Sequence, residues 1–190
     1  NGFKTLMIVS DSYNTPFDDH RTGLNLGEAA AFLVLESDEC VKKSGKTPVG
    51  YLAGYANTND AHHQTASSET GEGAFLAMDE ALKISGLSPG DIDYINSHGT
   101  ATPNNDLSEG TAMLRIFGEN KVPDFSSTKA FTGHTLAAAA AIEAVFSLLA
   151  IKNNVIFPNL NFSTKMKEFD LTPITELKHK EIRNVLSNSF

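Results

Sequence analysis

Apolar and polar positions follow two different rhythms along this chain, and the change falls near residue 70. Before it, Phe3 to Ser10 carry apolar residues at both helical and strand spacing, so their type stays open. Ala29 to Glu36 (AAAFLVLE) is rich in branched and aromatic residues and predicts a strand. A short polar helix from Ser37 to about Ser44 stops at Gly45, and Pro48 to Asn57 reads as a second, longer strand. Asp60 to Thr70 is a polar loop of Ser, Thr and His, a composition that often lines a site.

From Gly71 onward helical and extended patterns alternate. Ala74, Leu76, Ala77, Ala81, Leu82 and Ile84 form one helical face that ends at Gly86. There follow a strand over Ile92 to Asn96, a helix from Asp106 to Phe117, a short strand around Phe125, and a helix from Thr135 to Asn153. Strands over Val155 to Phe157 and Ile182 to Ser187 complete the pattern. This order implies an α/β protein, with a parallel or mixed sheet covered by helices on both faces. Two of its strand-to-helix junctions carry a histidine beside a glycine: Ser97-His98-Gly99-Thr100 and Thr132-Gly133-His134. Such junctions at a sheet edge are where polar side chains converge on a ligand, so the two imidazoles predict a paired site.

Composition narrows the class. The chain has 190 residues, 41% of them hydrophobic, with 14 Gly and 7 Pro, which suits a folded domain rather than a disordered segment. A net charge of −8 with no basic block disfavours nucleic acid. The apolar stretch Leu136 to Ile151 is broken by Glu143 and falls short of the roughly 20 residues that span a bilayer, so membrane insertion is not expected. No signal peptide opens the chain and its first residue is Asn, which suggests a fragment or a processed product. The single cysteine, Cys40, fits a reducing cytoplasm; Asp38 and Glu39 beside it oppose a thiolate, so it reads as an ordinary helix residue. His62 and His63 diverge as sequence neighbours and lack further ligands at zinc spacing.

The residues around both histidines resemble a known family. Tyr94 to Pro103 with Asn105-Asp106-Leu107-Ser108-Glu109 is similar to the first histidine motif of β-ketoacyl-[acyl-carrier-protein] synthases. Ser127-Thr128-Lys129 with Thr132-Gly133-His134 and Glu143 is similar to their second. Arg21, Gly23 and Leu26-Gly27-Glu28, the run Asp60 to Thr65, and Ser187-Asn188-Ser189-Phe190 resemble three further segments in the family's order. The resemblance implies a thiolase-like fold: a mixed five-stranded sheet with helices on both faces, the second half of a duplicated architecture. Residues 1–44 would be the remnant of the first half and 45–190 the C-terminal synthase domain, truncated at its end. Ala29 to Glu36 would then lack sheet neighbours, and a bare apolar edge invites association.

The implied activity is decarboxylative Claisen condensation of an acyl thioester with malonyl-carrier protein, in fatty-acid or polyketide-type synthesis. In that family the nucleophilic cysteine lies upstream, so the intact protein would be an acyltransferase and these 190 residues inactive alone. By resemblance, His98 and His134 share stabilisation of the enolate, with their individual roles undivided. Lys129 lies near both, with Glu109 expected as its carboxylate partner. Thr100, Thr102 and Thr65 would bond the phosphopantetheine arm, which the carrier protein brings; no cofactor is expected in the chain. Asn96, Glu143, Ser187 and Asn188 correspond to positions that hold a monovalent cation in some members, ordinary core hydrogen bonding being the alternative. Expected partners are acyl carrier protein, the missing N-terminal half, and a second subunit in a homodimer or heterodimer. The alternative function is a non-catalytic partner subunit of the chain-length-factor type, against which retention of His98, Lys129 and His134 argues. Ala29 or Ala30, and again Ala137 and Ala140, stand where the family usually has glycine, which narrows the expected pocket.

Overall fold

The computed structural model describes residues 2–63 and 66–190. Its centre is a parallel sheet in which β1 (Tyr94–Asn96) lies between β2 (Asp124–Ser126) and β5 (Val185–Ser187), with Ile95 opposite Phe125 on one side and Leu186 on the other. A second, antiparallel pair joins β3 (Val155–Ile156) to β4 (Lys178–His179). The mixed α/β architecture predicted from sequence is therefore present, its five strands divided between two sheets.

Period-two alternation in β1 explains why both faces are covered. Ile95 points into a core with Met78 and Leu82 of α3 (Glu72–Ser85) and Met113 and Phe117 of α4 (Pro103–Phe117). Its neighbour Tyr94 points the other way, into a core with Ala150 of α6 (Ala139–Asn153), Ile156 and Ile182. The Tyr94 hydroxyl donates to Ser126 Oγ at 2.8 Å, and Ser126 in turn donates to the Phe157 carbonyl at 2.6 Å, so the buried phenol leaves no donor unpaired.

Helix ends sit where the glycines predicted them. Gly45 caps α2 (Asp38–Ser44) and Gly86 caps α3, both in the left-handed region, while Ser37 accepts the Cys40 amide at 3.3 Å at the start of α2. Two short helices were not legible: α1 (Gly2–Thr5) and α5 (Lys129–Thr132). α4 begins three residues earlier than the apolar pattern indicates, because Pro103 takes the first helical position behind Thr102. Over 18 residues Leu136–Asn153 is apolar enough by length and composition to cross a membrane, longer than the pattern suggested. Here Ala139, Glu143, Ser147 and Ala150 turn it inward as a packing element.

The two strands expected in the first third are not strands. Ala29 to Glu36 and Pro48 to Asn57 find no ladder partner among the described residues. Phe32, Val34 and Leu35 are 92%, 86% and 76% exposed, and Tyr51, Leu52 and Tyr55 also face solvent. Propensity gave each segment the right residues, but a strand exists only where a neighbour supplies its hydrogen bonds. By contrast, residues 8–27 bridge within themselves at Val9 and Leu24 and pair with the rest of the chain where Asp18 bridges Lys165 and Leu26 bridges His134.

Because Ile95 is wholly buried, Ile95→Ala is expected to lower the free energy of unfolding by about 2–5 kcal/mol. Denaturant titration measures it; a loss below about 1 kcal/mol would mean this face is not the core.

Candidate active site

β1 delivers His98. All three of its residues are buried, and Ser97 N extends the ladder to Ser126 O at 3.0 Å before the chain turns. The turn is held by a carboxylate: Glu109 of α4 accepts the amides of His98 and Gly99, each at 2.8 Å, one per oxygen. Gly99 lies at φ +41°, and a Cβ there would press on Ser127 and on the Phe17 ring. The glycine beside the histidine is needed for this bend, as the sequence implied.

His134 arrives by a different route. β2 runs into α5, Gly133 leaves it at φ +67°, and His134 pairs in parallel with residues 25–27. Its amide donates to Asn25 O at 2.7 Å, and Gly27 N donates to its carbonyl at 3.1 Å. Gly27 and Gly133 approach closely here: a Cβ on Gly27 would strike the Thr132 carbonyl, and one on Gly133 the Gly27 backbone.

The two rings meet edge to face, with centroids 5.2 Å apart and planes at 88°. Phe190 also meets His98 edge to face, with centroids 5.9 Å apart. Lys129, only 1% exposed, brings its ammonium within 3.1 Å of His98 Nδ1 and against Glu143 Oε1, and Ser189 Oγ donates to the other Glu143 oxygen at 3.1 Å. An ammonium can only donate, so His98 Nδ1 accepts and the neutral ring carries its proton on Nε2. Burial, then the Lys129 charge, then His134, hold His98 well below the usual histidine range. Burial and Lys129 together push His134 down to about 4. Both imidazoles are therefore neutral at neutral pH. His134 Nδ1 is buried with no hydrogen-bond partner among the described residues.

One pairing differs from expectation. Lys129 does not pair with Glu109; its counter-ion is Glu143 on α6. Glu109 is fully occupied by the two turn amides and by Asn188 Nδ2 at 3.0 Å. Burial nevertheless raises its carboxyl to about 7, against those three donors, and burial likewise raises Glu143 in spite of the ammonium beside it.

The four oxygen donors considered for a cation do lie together. Asn96 is in register with Ser187, the Asn188 amide donates to Asn96 O, and Asn96 Nδ2 donates to the Glu143 carbonyl at 3.0 Å. Ser187 is exposed and both Glu143 oxygens are engaged in hydrogen bonds, while Asn96 Oδ1 is buried without a hydrogen-bond partner among the described residues. Thr100 and Thr102 are buried with hydroxyls 2.9 Å apart, on one side as their alternation implied. Thr102 stands at the start of α4 without a side-chain cap bond. Thr65 lies outside the described residues. The polar loop does line a cavity of about 390 Å³, through Asp60, His63, Ala66 and Ser67, which Ser189 and Phe190 close on another side.

Several supporting residues escaped the sequence reading. Asp106 accepts Phe17 N at 2.7 Å and Ala101 N at 3.2 Å, fixing two non-glycine residues at φ +60° and +64°. Its place in the first turn of α4 was a usable signal. Ser127 donates to Gly99 O at 2.8 Å and is itself held by Asn159, while Asn14 and Asn25 brace the second histidine. Nothing local marks these asparagines, whose partners are distant in sequence.

Comparison with known proteins agrees with this geometry. Residues 49–163 match the family model described as the β-ketoacyl synthase C-terminal domain. Over its full length the chain is 41% identical to a mitochondrial 3-oxoacyl-[acyl-carrier-protein] synthase of Arabidopsis thaliana, of which it covers 44%. Over 92% of its length it is 42% identical to 3-oxoacyl-[acyl-carrier-protein] synthase 2 of Staphylococcus aureus, again covering 44% of that protein. The chain thus spans less than half the length of these curated relatives. A β-ketoacyl synthase structure from Burkholderia phymatum STM815 superposes with a TM-score of 0.89 at 34% identity, covering all of this chain and 47% of that one. A type II polyketide ketosynthase, solved with its acyl-carrier protein and bound to a hexaketide, gives 0.93 at 33% identity, with 98% and 48% covered.

The depressed His134 value sets a direction for pH dependence. Its contribution to stability is whole above the ordinary histidine value of 6.5 and is lost as pH falls from there toward about 4. Imidazole proton resonances followed by NMR should give a His134 midpoint near 4; a midpoint at or above 6 would contradict the desolvated, lysine-flanked setting. Lys129→Met should raise that midpoint, because it removes the neighbouring positive charge.

Proposed function

Since the chain belongs to the β-ketoacyl synthase family, we propose that it forms the enolate-stabilising half of a 3-oxoacyl-[acyl-carrier-protein] synthase. The reaction joins an acyl thioester to malonyl-carrier protein in fatty-acid or polyketide-type synthesis. The observation that carries this reading is the contact of two neutral imidazoles, one with its Nε2 proton directed by Lys129.

In the condensation, the acyl group rests as a thioester on a cysteine. Malonyl-thioester loses CO₂, and the electron pair left behind is delocalised onto the thioester oxygen as an enolate. The enolate carbon then attacks the acyl carbonyl and expels the cysteine thiolate. Charge develops on one oxygen, and neutral N–H donors aimed at it stabilise the transition state far more than the ground state. His98 and His134 are assigned that task. Burial, reinforced by Lys129, keeps both rings neutral, Lys129 fixes the His98 tautomer, Glu143 balances the ammonium, and Glu109 shapes the turn that presents His98. Thr100 and Thr102 offer paired hydroxyls to the amides of the phosphopantetheine arm, which belongs to the carrier protein, and Thr65 is assigned to the same tunnel.

Cys40 is the sole cysteine of the chain, exposed on α2 and remote in character from a nucleophile, so the acyl-bearing thiol is assigned to polypeptide beyond these residues. Residues 1–44 would complete a first thiolase-like half, and residues 45–190 constitute the second. Such a half would supply the strands that Ala29 to Glu36 and Pro48 to Asn57 lack. We further assign the protein to the cytoplasm, acting with acyl carrier protein as a homodimer or heterodimer. A chain-length-factor role is disfavoured because it has no use for an intact pair of imidazoles with a buried lysine behind them.

In the full-length protein, His134→Ala should lower malonyl decarboxylation by about 10²–10³-fold while the fold persists; undiminished condensation in that variant would overturn the assignment. Incubated alone with acyl-carrier thioester, the 190-residue chain should give no acyl-enzyme by intact mass spectrometry, and acylation at Cys40 would contradict the proposed division of labour.

A further inference from the structure

We propose that Asn25 is a positioning residue for His134 and Lys129, acting through Asn14 as a clamp on both ends of α5. This rests on the condensing-enzyme reading but concerns residues that reading does not use. α5 has four residues, too few to hold its own direction, so its orientation depends on outside tethers. Lys129 begins it and His134 follows two residues after its end. The end at His134 is tied by the bond from its amide to Asn25 O at 2.7 Å. The end at Lys129 is tied by Asn14 Nδ2, which donates to Lys129 O at 3.4 Å in a fully buried setting.

Asn25 joins the two tethers. Its Oδ1 accepts the Asn14 amide at 2.8 Å, and its Nδ2 donates to Ser12 O at 2.9 Å and Ser10 O at 3.2 Å. Asn14 O is secured from the other side by Asn161 Nδ2 at 3.0 Å. One acceptor and two donors on a short planar group are what this junction requires, and asparagine alone supplies them at that reach. An apolar residue would leave the Asn14 amide and two carbonyls without partners; an aspartate would face two carbonyl oxygens with no proton to give. The clamp therefore fixes the spacing between the ammonium that orients His98 and the imidazole that meets it.

The test uses the full-length protein and malonyl-carrier protein, with Asn25→Ala, Asn14→Ala and the double variant. Asn14→Ala removes a single long hydrogen bond, so it keeps the question open should Asn25→Ala fail to fold. Each single variant should lower kcat for decarboxylation, about tenfold for Asn25→Ala, with KM within about twofold because the threonine contacts are untouched. The double variant should lose no more than Asn25→Ala alone, since both changes cut the same chain of bonds. Asn14 does not touch His134, yet Asn14→Ala should shift the His134 imidazole resonances. Unchanged kcat, multiplicative losses, or unmoved His134 resonances would overturn the clamp. Absence of decarboxylation in the unaltered protein would instead sink the condensing-enzyme reading, while the resonance shift would still report on the clamp.

Discussion

A lysine ammonium buried between a carboxylate and an imidazole is the constraint around which this site is built. Lys129 cannot stay charged in that interior unless Glu143 answers it, and Glu143 can do so only from the inward face of α6. The pair therefore fixes how α6 packs beside the parallel sheet. Its remaining reach is toward His98, where the ammonium decides which ring nitrogen holds the proton. Structure and chemistry depend here on one positive charge, and its removal would leave a buried carboxylate with nothing to balance it.

Two further buried carboxylates serve the backbone. Glu109 gathers consecutive amides at the His98 turn, and Asp106 gathers amides from two residues held at positive φ. Asp106 lies in the first turn of α4, where negative charge is favoured, while Glu109 lies one turn further on. The helix start thus organises a bend, a pair of threonine hydroxyls and the first histidine within a dozen residues. Desolvation opposes every one of these ionised groups, which is why their carboxyls titrate high although they are well bonded.

Much of this was legible in sequence, for identifiable reasons. Glycine stops, the helix α3 and the short strands Tyr94–Asn96 and Asp124–Ser126 are local signals, and both histidines stood in intact motifs; the face of α3 was read only in part, since Met78 joins Ala74 and Leu82 in the core while Ile84 is exposed. The pairing of Lys129 was misread because Glu109, in the helix after the first histidine motif, is taken up by the turn amides, whereas α6 brings Glu143 inward to the ammonium. Strand propensity failed at Ala29 to Glu36 and at Pro48 to Asn57, since a ladder is a property of two segments and neither finds a partner among the described residues. Asn14 and Asn25 were invisible for a kindred reason: their partners, Lys129 and His134, lie over a hundred residues away. Burial of Thr100 and Thr102 could be anticipated from alternation, whereas strain at Phe17 and Ala101 could not.

The edge-to-face contact of His98 and His134 has one more consequence. The centroids lie 5.2 Å apart with planes almost perpendicular, and Phe190 meets His98 edge-on at 5.9 Å, so each ring is set against a neighbour. On the proposed function, the imidazole dipoles would already be set in place by folding, so an oxygen gaining charge between them would meet donors that need little reorganisation.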